Sequence, residues 1–116
     1  MDSTEEGEIC HNIAEMSRVR YLCSHLVTIS WDDGATIANL EEIDAAEASL
    51  ESEIGLAPET MVALRSGAAY FEGKITKAEE HEFGWRICLQ FSPLTPWSIE
   101  RFRPEHLLDL TSLPVT

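Results

Sequence analysis

The fold is decided by residues 26–40, which read LVTISWDDGATIANL. In the first six residues Val27, Ile29 and Trp31 share one face, and this β-branched and aromatic alternation is typical of a half-buried strand. An Asp-Gly pair ending at Gly34 then favours a tight hairpin turn. The six residues after it have the pattern of a returning strand. The stretch therefore predicts an antiparallel β-hairpin.

Four further runs of strand character follow at short spacing, with Gly, Pro or Ser turn signals between them. They are residues 48–50, 61–65, 69–77 and 85–91. Gly73 interrupts the third of these runs and is a candidate bulge. Six short strands predict a mainly β protein, a small six-stranded antiparallel β-barrel, because closure hides the sheet edges and buries one apolar face.

Both ends of the chain show a different pattern. Ile9, Ile13 and Met16 fall at helical spacing, which predicts a short amphipathic helix. Pro96 can begin a short helical turn near the other end. We therefore expect an acidic, partly helical segment at residues 1–17, a barrel at residues 18–92, and an extension at residues 93–116 that packs on the barrel.

Composition narrows the function classes. The 116 residues hold 8 Lys plus Arg against 21 Asp plus Glu, a formal net charge of −13. Such a balance argues against nucleic-acid backbones and anionic membranes as partners. We find no apolar run of about 20 residues and no signal-peptide pattern. The three cysteines (Cys10, Cys23 and Cys88) are odd in number and sparse, so we expect a reducing cytoplasm.

The acidic residues are unevenly spread. Residues 41–59 contain seven carboxylates and no Lys or Arg. Such a block raises the local negative potential. Two interpretations stand side by side: a solvated surface that keeps the domain soluble, or an acidic face for a basic partner protein.

The sequence contains no pattern that predicts an enzyme. It has no Gly-x-Ser-x-Gly elbow and no phosphate-binding glycine loop, and its six glycines are isolated. We therefore expect no catalytic residues. A metal site is a weak alternative: Cys10, His11, Cys23 and His25 are the candidate ligands, but they lack the paired spacing of zinc motifs.

The order of these elements resembles the PilZ domain, the family of bacterial cyclic di-GMP receptors. The likeness spans residues 18–91, from Arg18-Val19-Arg20 through the hairpin and the Pro58 loop to the final strand. Residues 97–109 resemble a C-terminal extension of an acidobacterial subgroup. The resemblance implies a six-stranded barrel and a dinucleotide site.

The ligand motifs of that family are altered here. PilZ receptors grip the ligand with an Arg-x-x-x-Arg segment, whereas Arg18 and Arg20 stand only two apart. The second motif is Asp or Asn, one residue, Ser, two residues, then Gly. At its three defined positions this chain has Glu42, Asp44 and Glu47.

These changes place added carboxylates beside a dianionic ligand. One like-charge pair near 4 Å repels by roughly 4 kcal/mol at an effective dielectric of about 20, against roughly 8 kcal/mol for micromolar binding. We therefore expect a non-enzymatic PilZ-like regulatory or protein-interaction module without cofactor, in which cyclic di-GMP binding is lost. The alternatives are a metal-binding barrel and a surviving receptor. The residues that would bind the dinucleotide in such a receptor are Arg18, Arg20, Asn39 and Arg86.

Overall fold

The computed structural model describes residues 19–109, which form seven β-strands. The strands are β1 (Tyr21–Trp31), β2 (Gly34–Ile43), β3 (Glu47–Ser52), β4 (Met61–Ser66), β5 (Ala69–His81), β6 (Gly84–Phe91) and β7 (Leu108–Asp109). Within this part of the chain no helix is long and apolar enough to cross a membrane.

The first six strands close into an antiparallel barrel. They follow the order β2-β3-β6-β5-β4-β1, and a further pairing of β1 with β2 closes the ring. The predicted hairpin is confirmed, because Trp31 pairs with Gly34 across the two-residue turn and the register continues through Val27 and Ala38. Strand β7 adds a short pairing to the start of β1. The predicted six-stranded barrel is therefore confirmed.

The interior of the barrel is filled by alternate residues of its strands. The most deeply buried apolar side chains are Ile29, Leu40, Ile43, Leu50, Leu64, Phe71, Ile75, Ile87 and Leu89. Trp97, which follows the last barrel strand, joins the same cluster and is 4% exposed. The core therefore depends on the C-terminal segment as well as on the six strands.

The predicted bulge at Gly73 is wrong. The register of β5 against β6 shifts between Ile75 and Lys77, while Gly73 pairs regularly with Phe91. A Cβ atom on Gly73 would lie 2.4 Å from the backbone oxygen of Gln90. The glycine is therefore required by close strand approach rather than by an irregular backbone.

The predicted C-terminal helical turn also differs from the structure. Residues 93–109 contain no helix, only turns; one of them forms where the carbonyl of Ser98 accepts hydrogen bonds from the N–H groups of Arg101 and Phe102. The segment is held by tertiary contacts instead, including the Trp97 indole N–H, which donates to the Phe102 carbonyl at 2.8 Å. The helix predicted in residues 8–17 lies outside the described residues.

Candidate functional site

A partly buried ion-pair cluster joins the start of the barrel to the β2–β3 turn. Arg20 stands just before β1, and its Nε lies 2.9 Å from Glu42 Oε1 while its Nη1 lies 2.6 Å from Asp44 Oδ2. The Arg20 side chain is 17% exposed, that of Glu42 32% and that of Asp44 2%. Arg20 is thus held by two carboxylates, of which Asp44 is almost fully withdrawn from water.

Asp44 also organises the turn in which it stands. Its Oδ1 accepts backbone hydrogen bonds from the N–H groups of Ala46 and Glu47, at 2.9 and 2.8 Å. This is the local bonding by which an Asp side chain builds a turn. Because the other carboxylate oxygen of Asp44 contacts Arg20, one side chain holds both the turn and the guanidinium.

A small groove lies beside this cluster. Its volume is about 220 Å³, and its cationic lining residues are Arg20, Lys77 and Arg86. Lys77 lies 3.4 Å from Glu79. Arg86 contacts both Glu41 and Glu51, at 3.3 and 3.1 Å. Every cation of the groove therefore already has a carboxylate partner, which weakens its pull on an anionic ligand.

The structure brings only some of the sequence-predicted ligand residues together. Arg20 and Arg86 line one groove with Glu42. Asn39 is absent from that lining and instead contacts Ser24 and Glu41, each at 3.4 Å. Arg18 lies outside the described residues. Sequence reasoning missed Lys77, which only the pairing of β5 with β6 brings to the groove.

The acidic block of residues 41–59 is partly buried and partly ion-paired. Asp44 and Glu47 are buried, at 2% and 6% exposure. Four others, Glu41, Glu42, Glu51 and Glu59, lie in ion pairs with basic side chains distant in sequence. Glu53 is exposed, and no described side chain pairs with it.

The structure describes two of the four candidate metal ligands, Cys23 and His25, and both make hydrogen bonds within the protein. The Cys23 thiol donates to the Leu40 carbonyl, 3.6 Å away. His25 Nδ1 accepts the N–H of Glu105 at 3.1 Å, so Nε2 carries the proton and donates to Ser66 Oγ at 2.8 Å. Among residues 19–109 no group of three or more His, Cys, Asp or Glu side chains could hold a metal. The other two candidates, Cys10 and His11, lie outside this range.

The Cys23 thiol has a raised pKa. This predicts how the stability of the protein depends on pH. Burial raises its pKa from 9.0 to about 12, and the carboxylates of Glu41 and Glu42 add to the rise. The folded state therefore holds this proton more tightly than the unfolded chain does. The resulting stability is fully present below pH 9 and is lost as the pH rises toward 12.

We expect the wild-type protein to lose stability relative to Cys23→Ala as the pH is raised through this window. The measurement is urea denaturation of both proteins at a series of pH values, because the difference between them cancels the titration of Lys and Tyr side chains. A constant difference between the two proteins from pH 8 to above pH 11 would contradict the raised pKa of the thiol.

Comparison with protein-family models, with curated proteins and with solved structures finds no match to this chain.

Proposed function

We propose that this chain is a PilZ-like barrel that acts as a non-enzymatic regulatory or protein-interaction module and has lost cyclic di-GMP binding. The observation that carries the proposal is that the Arg20 guanidinium is already held by two carboxylates of the same chain. Its guanidinium donates to Glu42 and Asp44, at 2.9 and 2.6 Å. These two carboxylates stand at two of the three altered positions of the second ligand motif. The altered residues therefore bind the arginine themselves.

Competition for Arg20 supports the same conclusion. A ligand phosphate that took this guanidinium would have to displace Asp44, whose side chain is 2% exposed. Removing one partner from a buried ion pair costs about 3–5 kcal/mol. That cost is a large part of the roughly 8 kcal/mol that micromolar binding supplies. The site is therefore built to hold its own carboxylates rather than a dinucleotide.

The proposal predicts that cyclic di-GMP does not stabilise the protein. A ligand at about 100 times its dissociation constant adds about 2.7 kcal/mol of stability, which in a domain of this size raises the melting temperature by roughly 10 °C or more. We expect no such shift with ~1 mM cyclic di-GMP, a concentration that would detect dissociation constants up to about 10 µM. The measurement is thermal unfolding followed by circular dichroism, with cyclic di-AMP as the matched control nucleotide.

One variant sharpens this experiment. Glu42→Gln removes the more exposed of the two carboxylates and leaves Asp44 in place, so the fold should tolerate it. If wild type and this variant both stay unresponsive, the loss of binding does not depend on Glu42 alone. A clear upward shift of the wild-type melting temperature with cyclic di-GMP, but not with cyclic di-AMP, would overturn the proposal.

The second candidate function is a surviving receptor, and one observation favours it: Arg20 and Arg86 line the same groove. Guanidinium groups suit both phosphates and guanine edges. In such a receptor Arg20 would leave its carboxylates and bind the dinucleotide with Arg18. Arg20→Ala would then abolish a ligand-induced shift seen in the wild type, whereas Arg101→Ala, which changes an exposed arginine outside the groove, would preserve it.

A further inference from the structure

A second groove, more apolar in its lining, lies on the outside of the barrel. Its volume is about 540 Å³. Three of its lining residues are large hydrophobic side chains that the fold leaves in water: Leu26, Ile37 and Phe83 are 68%, 62% and 86% exposed. Adjacent exposed apolar side chains of this size mark interaction sites on proteins.

The position of Phe83 is set by the backbone. Phe83 lies in the β5–β6 turn, and the next residue, Gly84, has a φ of +151°. A Cβ atom on Gly84 would lie 2.6 Å from the carbonyl oxygen of Ser52. The turn therefore packs directly on the end of β3, which holds the exposed Phe83 beside Ile37 and Leu26.

One wall of this groove is an open sheet edge. The first four residues of β2, Gly34–Ile37, pair with β1 on one side. The pairing of β2 with β3 begins only at Ala38, opposite Ser52. Among the described residues no strand lies beside residues 34–37 on that side. An edge without a neighbouring strand, next to apolar side chains, is the geometry used for strand addition. In this segment the Ile37 carbonyl accepts a local hydrogen bond from the Thr36 hydroxyl at 3.4 Å, which an added strand would replace.

The charges around this edge are acidic. Asp32 and Asp33 form the exposed turn at one end of the open segment, and Glu53 follows the last paired residue of β3 at the other end. The residues lining the groove include the exposed Glu53 but no Lys or Arg; the second carboxylate of the lining, Glu51, already contacts Arg86 and His81. Four residues of strand span about 13 Å, so the two acidic ends are one short peptide length apart.

We propose that the edge of β2 at Gly34–Ile37 and the groove of Leu26, Ile37 and Phe83 bind an extended segment of a partner protein, with β-branched or aliphatic residues in the middle and Lys or Arg at both ends. The segment adds as a strand beside β2. Its apolar side chains cover the three exposed hydrophobic residues, and its basic ends meet Asp32, Asp33 and Glu53. This inference deepens the proposed interaction role and rests on it.

The test uses a fluorescein-labelled peptide of this chemistry, acetyl-Lys-Lys-Val-Thr-Val-Thr-Val-Lys-Lys-amide, and measures binding to the full chain by fluorescence anisotropy. We expect saturable binding that weakens severalfold as the salt rises from about 50 to about 500 mM, because exposed charges are screened. The same peptide with Glu in place of Lys should not bind. Equal binding of both peptides would overturn the charge complementarity.

Substitutions in the groove test where on the protein the peptide binds. Phe83→Ala should weaken binding about fivefold or more, as the loss of a hydrophobic anchor does, and Glu53→Lys should weaken it about tenfold. Leu94→Ala is the matched control, because Leu94 is 85% exposed and lies outside the groove. Unchanged binding to Phe83→Ala would overturn the proposed groove.

Strand addition has its own signature. The peptide should slow hydrogen exchange of the backbone amides within Gly34–Ile37. Peptides N-methylated at alternate residues, made in both registers, should lose binding in one register only. Binding by both N-methylated peptides would overturn strand addition. A second copy of this chain at the edge, seen as a dimer in sedimentation that Ile37→Lys dissociates, would instead overturn the partner protein as the occupant.

The two proposals fail in distinguishable ways. A stabilising response to cyclic di-GMP overturns the proposed loss of ligand binding and leaves the peptide result untouched. Absence of peptide binding in a protein that also ignores the dinucleotide overturns only the groove on the outside of the barrel.

Discussion

Asp44→Ala is expected to destabilise the barrel by about 3 kcal/mol, a large fraction of the roughly 5–15 kcal/mol that holds a domain folded. The substitution removes the acceptor of two backbone N–H groups, those of Ala46 and Glu47, and one partner of the half-buried Arg20. Each donor left without its acceptor in a buried site carries a desolvation cost of about 1–3 kcal/mol. Urea denaturation measures the change in free energy of unfolding.

The matched control is Glu42→Ala. Glu42 contacts the same guanidinium as Asp44, but its side chain is 32% exposed against 2%. Partly exposed ion pairs contribute about 0–1 kcal/mol, so we expect a loss of no more than about 1 kcal/mol. Equal losses for the two variants would contradict the special role assigned to Asp44.

Trp97→Ala has the largest expected effect of the changes considered, a loss of about 3–5 kcal/mol. Trp97 is 4% exposed and belongs to the barrel core, although it lies beyond the last barrel strand. Its ring packs edge-on against Tyr21 with a centroid distance of 5.5 Å, and its N–H donates to the Phe102 carbonyl. The variant therefore leaves a cavity and releases the segment that carries Phe102.

Thermal unfolding of Trp97→Ala should show a melting temperature lower by more than about 10 °C. Leu94→Ala in the same segment is the control: Leu94 is 85% exposed, so its loss should change stability by less than about 0.5 kcal/mol. A Trp97→Ala protein as stable as this control would contradict the assignment of Trp97 to the core.

The strands were predictable because their signals are local. The alternation of Val27, Ile29 and Trp31 and the turn before Gly34 depend on neighbours in sequence, and the structure places all of them as expected. Strand lengths were underestimated: β1 begins at Tyr21 and β5 ends at His81. These added residues are polar or mixed in character, and they become strand because a partner strand lies beside them.

The exposed hydrophobic residues could have been found from sequence. If Val27 and Ile29 face inward, then Leu26 must face outward on the same strand, and the hairpin register sends Ile37 outward as well. The same alternation that identifies the core therefore also identifies apolar residues on the outer face of a strand. The proximity of Phe83 was not predictable, since it depends on the close packing of Gly84 against Ser52.

By itself the sequence determined the class of fold, the hairpin at residues 26–40 and a core of alternating apolar residues, because side-chain period and turn chemistry act over a few neighbouring residues. Only the tertiary structure decided what the charges do. It buried Asp44 against Arg20, divided the acidic block of residues 41–59 among several ion pairs, and left residues 34–37 as an open edge. Which groups form ion pairs, and which strand edges stay open, depends on which strands become neighbours, and the partners are 20 or more residues apart in the chain. The distribution of charge along the sequence does not predict that pairing.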